Sequence, residues 1–303
     1  MKPSRTRLVR RRDFLYRAGG VGLVAVTGPV LLSACSRSEN GEEGPLTLER
    51  LQEQGYIRAG IANEQPYGFV DDAGELTGES PELAKAIFAE LGIDEVRADP
   101  VAWDGLIPGL TSDRFDFVAA GMSIIPDRCS EVAFSNPEYQ GQTAFMVPVG
   151  NPEGIETFED VAGNSDITLC VLNAAVEQTF AEELGVPSGQ LEAVDDQVTA
   201  FEFLESGRVD AIALTNISLN WMLQEREAED EFEVTDGYTP VIDGEEQIGA
   251  GGFAFRQEDT EIVEAVNGVL ADFQESGRLL EIIEPFGFTE DNLPGDLTVD
   301  DLC

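Results

Sequence analysis

From about residue 46 onward, short apolar runs alternate with stretches whose apolar residues recur every three or four positions. That pattern predicts strands alternating with amphipathic helices. Arg58-Ala59-Gly60-Ile61 ends one strand. Ser80-Pro81-Glu82 then opens a helix, with serine as N-cap, proline at the first helical position and an acid near the positive end of the helix dipole. Leu83, Ile87 and Leu91, flanked by Ala84 and Phe88, form its apolar face, and Gly92 stops it. The clearest stripe covers 260–276, where Ile262, Val263, Val266, Val269, Leu270 and Phe273 share one side. Gly277 ends that helix, and Leu279, Leu280, Ile282 and Ile283 predict a short last one. Stripes of this kind are core and carry no chemistry.

One internal similarity sets the architecture. Residues 110–119 (Leu-Thr-Ser-Asp-Arg-Phe-Asp-Phe-Val-Ala) line up with 204–213 (Leu-Glu-Ser-Gly-Arg-Val-Asp-Ala-Ile-Ala). Each reads as a helix end, a tight turn and a buried strand. The match predicts two α/β units built alike, each a mostly parallel sheet that needs helices on its faces. The length after residue 45, about 258 residues, also exceeds what one core usually serves.

The first 35 residues follow different rules. Lys2, Arg5, Arg7 and Arg10 precede Arg11-Arg12-Asp13-Phe14-Leu15, then an apolar run over 21–32 and Leu32-Ser33-Ala34-Cys35. A run of about 12 residues is too short to span a bilayer, which takes ~20, so this is an export signal. Paired arginines before Phe-Leu resemble a twin-arginine address. Leu-Ser-Ala-Cys resembles a lipobox, which would make Cys35 the acylated first residue after cleavage; the alternative is an ordinary cleaved signal with an incidental cysteine. The expected divisions are a signal peptide over 1–34 and a polar, Gly-rich tether over 35–45.

Composition then narrows the function. The chain holds 18 basic and 59 acidic residues and no histidine. From Cys35 onward 11 basic residues face 58 acidic ones, and Lys85 is the only lysine. That balance excludes nucleic acid as a partner, because such binding neutralises phosphates with Lys and Arg. An apolar content of 42% is enough for a core, so the charge marks an acidic surface rather than disorder. Self-repulsion should loosen such a chain in dilute buffer, whereas at 1 M salt the Debye length is only ~3 Å. A halophilic source is the expectation. The absence of histidine removes Ser-His-Asp and Cys-His nucleophiles and His-based metal sites, so no metal or other cofactor is expected. Cys129, Cys170 and Cys303 lack C-x-x-C spacing. Cys170 falls in the apolar run 167–172 as a buried small residue, leaving Cys129 and Cys303 as a possible pair, bonded or free.

Several segments together resemble the amino-acid type of solute-binding protein of ABC importers, family 3. They are Leu48-Glu49-Arg50-Leu51 with Gly55-Tyr56-Ile57-Arg58-Ala59-Gly60-Ile61, Pro66-Tyr67-Gly68-Phe69, Trp103-Asp104-Gly105-Leu106-Ile107-Pro108-Gly109-Leu110, and Arg128 ahead of Phe134-Ser135-Asn136-Pro137-Glu138-Tyr139. Residues 62–68 and Gly121-Met122 with Pro126-Asp127-Arg128-Cys129 look most like the ectoine- and hydroxyectoine-binding branch. The resemblance implies a two-lobed α/β fold of the type II periplasmic-binding-protein kind. Lobe 1 would be 46–145 plus 252–303 and lobe 2 146–251, joined by hinge strands near 143–149 and 247–255. Gly249, Gly251 and Gly252 suit either a hinge or close packing.

The resemblance also implies site residues. Ectoine carries a carboxylate and a ring amidinium, so a site for it needs a planar cation, ring faces and acids. Arg128 matches the family's carboxylate-binding arginine, whose fork makes two parallel hydrogen bonds; the bland reading is a surface arginine paired with Asp127 or Glu131. Tyr67 and Trp103 match positions where rings face the ligand, worth ~0.5–2 kcal/mol per cation contact, although aromatics in such places also serve packing. Glu64 and Glu177 would oppose the amidinium, or be two solvated acids among many. Two departures matter. Ser123 stands where the ectoine branch has a third aromatic, and Thr215, followed by Asn216, where α-amino-acid binders place an aspartate. Asn173-Ala174-Ala175 also replaces the usual Gly-containing turn before a helix whose N–H groups could meet an anion.

The leading expectation is therefore a non-enzymatic, lipid-anchored monomer on the outer face of the cell membrane. It would capture ectoine, hydroxyectoine or a similar zwitterion by lobe closure and deliver it to an ABC permease. The alternatives are a polar amino acid-binding protein, a dehydratase-like enzyme using Glu64 and Glu177, and a sensor. No membrane span or signalling domain follows the binding region, which favours transport over sensing.

Overall fold

The computed structural model describes residues 44–303. The export segment, Cys35 and nearly all of the expected tether lie outside the described residues.

Two sheets organise the described chain. The first runs Glu95–Pro100, Tyr56–Ile61, Phe117–Ser123, Gly249–Phe255, Ala133–Phe134, with Tyr139–Gly141 also paired to Gly249–Phe255. The second runs Leu191–Val194, Leu169–Leu172, Ala211–Thr215, Thr143–Pro148, Phe232–Val234. The order is the same in both: three parallel strands, then a strand that runs against the central one. The expectation of mostly parallel sheets is thus corrected to mixed sheets. Thr143–Pro148 follows directly on the first sheet's Tyr139–Gly141, and Gly249–Phe255 comes back from the other half. Each joins its sheet antiparallel to the central strand. The sequence repeat marks equivalent places in this order, since Phe117–Ser123 and Ala211–Thr215 are the two central strands.

Helices cover both faces, which is why these strands are apolar nearly throughout. On one face of the first sheet, Phe117 stacks on Phe255 at 5.7 Å and takes the edge of Phe88 at 5.1 Å. Phe88 belongs to helix Glu79–Glu90, with Leu83, Ala84 and Ile87 buried beside it. Helix Thr260–Ser276 closes the same core through Ile262, Val266, Leu270 and Phe273, and ends at left-handed Gly277 (φ +80°), followed by Arg278–Ile283. In the second sheet, Phe145 and Val171 pack on Phe158 and Phe180.

One expected cap is corrected. Ser80 does not start its helix: the helix begins at Glu79 with Gly78 as N-cap. Ser80 is fully buried, and its hydroxyl donates to Glu138 at 3.0 Å. The entry is held instead by Glu79 N–H donating to the Pro66 carbonyl and Ser80 N–H to the Tyr67 carbonyl. A buried carboxyl from another element outbids the local cap. At Gly249 and Gly251 an added Cβ would run into the Gly141 carbonyl and the Tyr139 ring; close strand packing therefore requires glycine at both. Cys129 and Cys303 form a disulfide, while Cys170 is buried and unbonded.

Candidate functional site

Six residues singled out in the sequence line one small cavity of about 20 Å³: Glu64, Tyr67, Trp103, Ser123, Glu177 and Thr215. The first four come from the part of the chain that builds the first sheet, and the last two from the part that builds the second. A neighbouring space of similar size shares Ser123, Tyr139, Glu177 and Thr215 with it. A larger cleft of about 680 Å³, lined by Gln140, Trp221, Phe286 and Asn292 among others, gathers none of these candidates.

Arg128 sits beside the cavity on the one-turn helix Pro126–Cys129. It is 8% exposed and, among the described residues, pairs with neither Asp127 nor Glu131. Its Nη1 donates to the Ser123 carbonyl and its Nη2 to the Ala174 carbonyl, both at 3.0 Å. The Trp103 ring lies 5.6 Å from the guanidinium, and Trp103 Nε1 donates to the same Ala174 carbonyl at 3.2 Å. Ala174 holds φ +61° without being glycine, a conformation that costs on the order of 1–3 kcal/mol and persists only where its surroundings enforce it.

Further contacts also reach between the halves. Tyr67 Oη and Thr215 Oγ1 are 3.0 Å apart. Thr215 at the same time N-caps helix Asn216–Glu225 by accepting from Ser218 N–H at 3.1 Å. Ser218 Oγ then donates to Glu64 Oε1 at 2.9 Å. The Tyr67 ring rests 5.0 Å from that of Tyr139, whose hydroxyl donates to the Gly121 carbonyl at 2.9 Å. Gly121 is required here twice over, by φ +58° and because a Cβ would strike the Tyr67 ring.

Burial governs the charges. Glu64 is pushed up to about 7 by desolvation and then by the charge of Glu177, against a hydrogen bond from Ser218 and the pull of Arg128. Glu177 is likewise pushed up to about 7 by desolvation, opposed by a backbone hydrogen bond and by Arg128. Arg128 is held below its ordinary value by burial, which Glu177, Tyr139 and Glu64 offset. The cavity thus offers one guanidinium, two carboxyls near neutrality and two ring faces.

Tyr139, Ser218, Gly121 and the Ala174 carbonyl also build this site, although spacing and residue type mark none of them as site residues. Tyr139 follows the Pro137-Glu138 pair that carried part of the resemblance, and the missing glycine at Ala174 was the one visible trace of the unusual turn. A second acid pair, Glu79 and Glu138, lies outside the cavity lining and is fully buried, with no cationic partner among the described residues. Both Glu79 oxygens lack a hydrogen-bond partner.

The profile of the bacterial extracellular solute-binding proteins, family 3, matches residues 57–289, and the chain belongs to that family. It is 30% identical over 291 residues to the "Probable amino-acid ABC transporter periplasmic-binding protein" of Sinorhizobium fredii, covering 94% of this chain and 93% of that one. Among solved structures it is similar to EhuB in complex with hydroxyectoine, with TM-score 0.77 and 34% identity over 84% of this chain and 97% of that one. It is also similar to an ancestral amino acid-binding protein, a precursor of cyclohexadienyl dehydratase, with TM-score 0.68 and 28% identity over 79% and 98%. The fold is of the type II periplasmic-binding kind that these structures share.

Proposed function

We propose that this chain captures a small zwitterion, ectoine or hydroxyectoine or a close chemical relative, in the cavity beside Arg128 and hands it to an ABC permease. The observation that carries the reading is the set of unlike charges gathered at one small cavity: Glu64 and Glu177 line it, and Arg128 is close enough to pull both carboxyls down. A ligand carboxylate would replace the neutral Ala174 carbonyl on Arg128 with an ion pair that can use two arms of the guanidinium fork. A ligand cation would meet two carboxyls that burial leaves poised near 7. Thr215 in place of an aspartate speaks against ordinary α-amino acids, and the likeness to EhuB supports ectoine chemistry. Opening would release Tyr67 from Thr215, Glu64 from Ser218, and Arg128 and Trp103 from Ala174, so the ligand shifts the balance only by what it adds to the closed form.

The wider reading belongs to the same proposal: lobes at 46–145 plus 252–303 and at 146–251, twin-arginine export, acylation at Cys35, a monomer, and work in strong salt. Calorimetry in molar salt with ectoine, hydroxyectoine, betaine, proline, glutamate and glutamine tests the ligand. Saturable 1:1 binding of the first two, and weak or absent binding of the last two, is expected; the reverse order would overturn the reading. A second reading rests on the two carboxyls near 7, which suit general acid–base work. New products after incubation with candidate ligands would favour it.

A further inference from the structure

We propose that the Cys129–Cys303 disulfide is a positioning clamp for Arg128, fixing the turn from which the guanidinium reaches the cleft. The inference rests on the reading of Arg128 as the ligand's carboxylate anchor. Arg128 and Cys129 are neighbours on a helix of a single turn, Pro126–Cys129, and one turn has too few hydrogen bonds to hold itself. Among the described residues Arg128 has no ion pair to fix it; its guanidinium meets two carbonyls and the Trp103 ring, so the direction of its fork follows the backbone beneath it. That backbone is held from outside. Gln257 Nε2 donates to the Cys129 carbonyl at 2.9 Å, and the disulfide ties Cys129 to a residue 174 positions away.

The far end of the tie is itself fastened. Cys303 follows helix Val299–Leu302, whose start carries a reciprocal cap between Thr298 and Asp301. Val299 N–H donates to Asn136 Oδ1 at 3.2 Å. Val299, Leu302 and Cys129 are partly buried against the apolar cluster that contains Trp103. The chain end is thus a strap from the Asn136 region to the Arg128 turn, and the tie has a direct route to the residue that grips the ligand. Cys303 is exposed, so a soluble reductant can reach the bond.

The test compares the intact protein, the same protein reduced with a phosphine, and C129S/C303S, each titrated with ectoine and with its carboxamide, which keeps the amidinium but lacks the carboxylate. The clamp predicts about a tenfold weaker Kd for the carboxylate ligand on reduction or substitution, with little change for the carboxamide. Bridging the reduced thiols with dibromomethane, each thiolate displacing one bromide to give S–CH2–S, should restore the lost affinity. An unchanged Kd with a lowered melting temperature, or equal weakening of both ligands, would overturn the proposal and leave a structural staple. R128A is run alongside. If it leaves ectoine binding intact, the site reading itself falls; if it abolishes binding while reduction does nothing, the clamp alone falls.

Discussion

Among the described residues two pairs of glutamates are buried, and they differ in one respect that separates function from architecture. Glu64 and Glu177 line a cavity with Arg128 close enough to pull both values down. Glu79 and Glu138 are more deeply buried, form no ion pair among the described residues, and are both raised by desolvation, Glu79 further by the charge of Glu138. A fully buried carboxyl without a cation is most cheaply kept neutral. The first pair can exchange its protons for a ligand's positive charge; the second can only hold its protons. Burial alone therefore does not mark a site: an adjoining space and a counter-charge do.

Removing the counter-charge should have the largest effect. R128A leaves two carboxyls without a cation and the ligand carboxylate without its fork, a loss of about 2–5 kcal/mol. Calorimetry should then show an ectoine Kd about 30- to several-thousand-fold above the wild-type value. Next comes pH. The folded-state values of Glu79 and Glu138 lie above their unfolded ones. The stability they contribute is complete below the unfolded carboxylate value of about 4.3, and is lost as pH rises through the raised folded values. The melting temperature should fall between pH 6 and pH 9 by on the order of 5–10 °C, at about 2–4 °C per kcal/mol. E79Q/E138Q should flatten the part of that slope above pH 7, beyond the raised values of Glu64 and Glu177, without weakening ectoine binding at pH 6. A steep slope above pH 7 in the double variant would break the contrast between the pairs.

Smaller effects should sharpen it. E64Q and E177Q each remove one charged partner of the ligand cation, about 1.5–3 kcal/mol, so each Kd should rise roughly 10- to 100-fold in calorimetry. Y67F deletes only the hydroxyl that meets Thr215 across the cleft. It should weaken binding about three- to tenfold, the worth of one ordinary hydrogen bond, with the melting temperature of the free protein barely moved.

Periodicity made the helix over 260–276 legible, and the repeat at 110–119 and 204–213 located the two central strands. The resemblance gathered Glu64, Tyr67, Trp103, Ser123, Glu177 and Thr215 around one space. Other features rest on partners far apart in the chain and leave no trace in spacing. Ser80 looked like a cap because its true acceptor, Glu138, is 58 positions away. Ser218 reaches Glu64 across 154 positions. The mixed character of the sheets follows from the path between them, and an apolar strand reads the same in either direction.

The most direct test of the central claim, that Glu64 and Glu177 trade protons for a ligand's positive charge, is a proton count on binding. Ectoine is titrated at pH 7 in buffers of different ionisation heats. With both carboxyls poised near 7, saturation should release about one proton per cavity. The release should vanish at pH 9 and in E64Q/E177Q. A binding heat at pH 7 that is the same in every buffer would contradict the account.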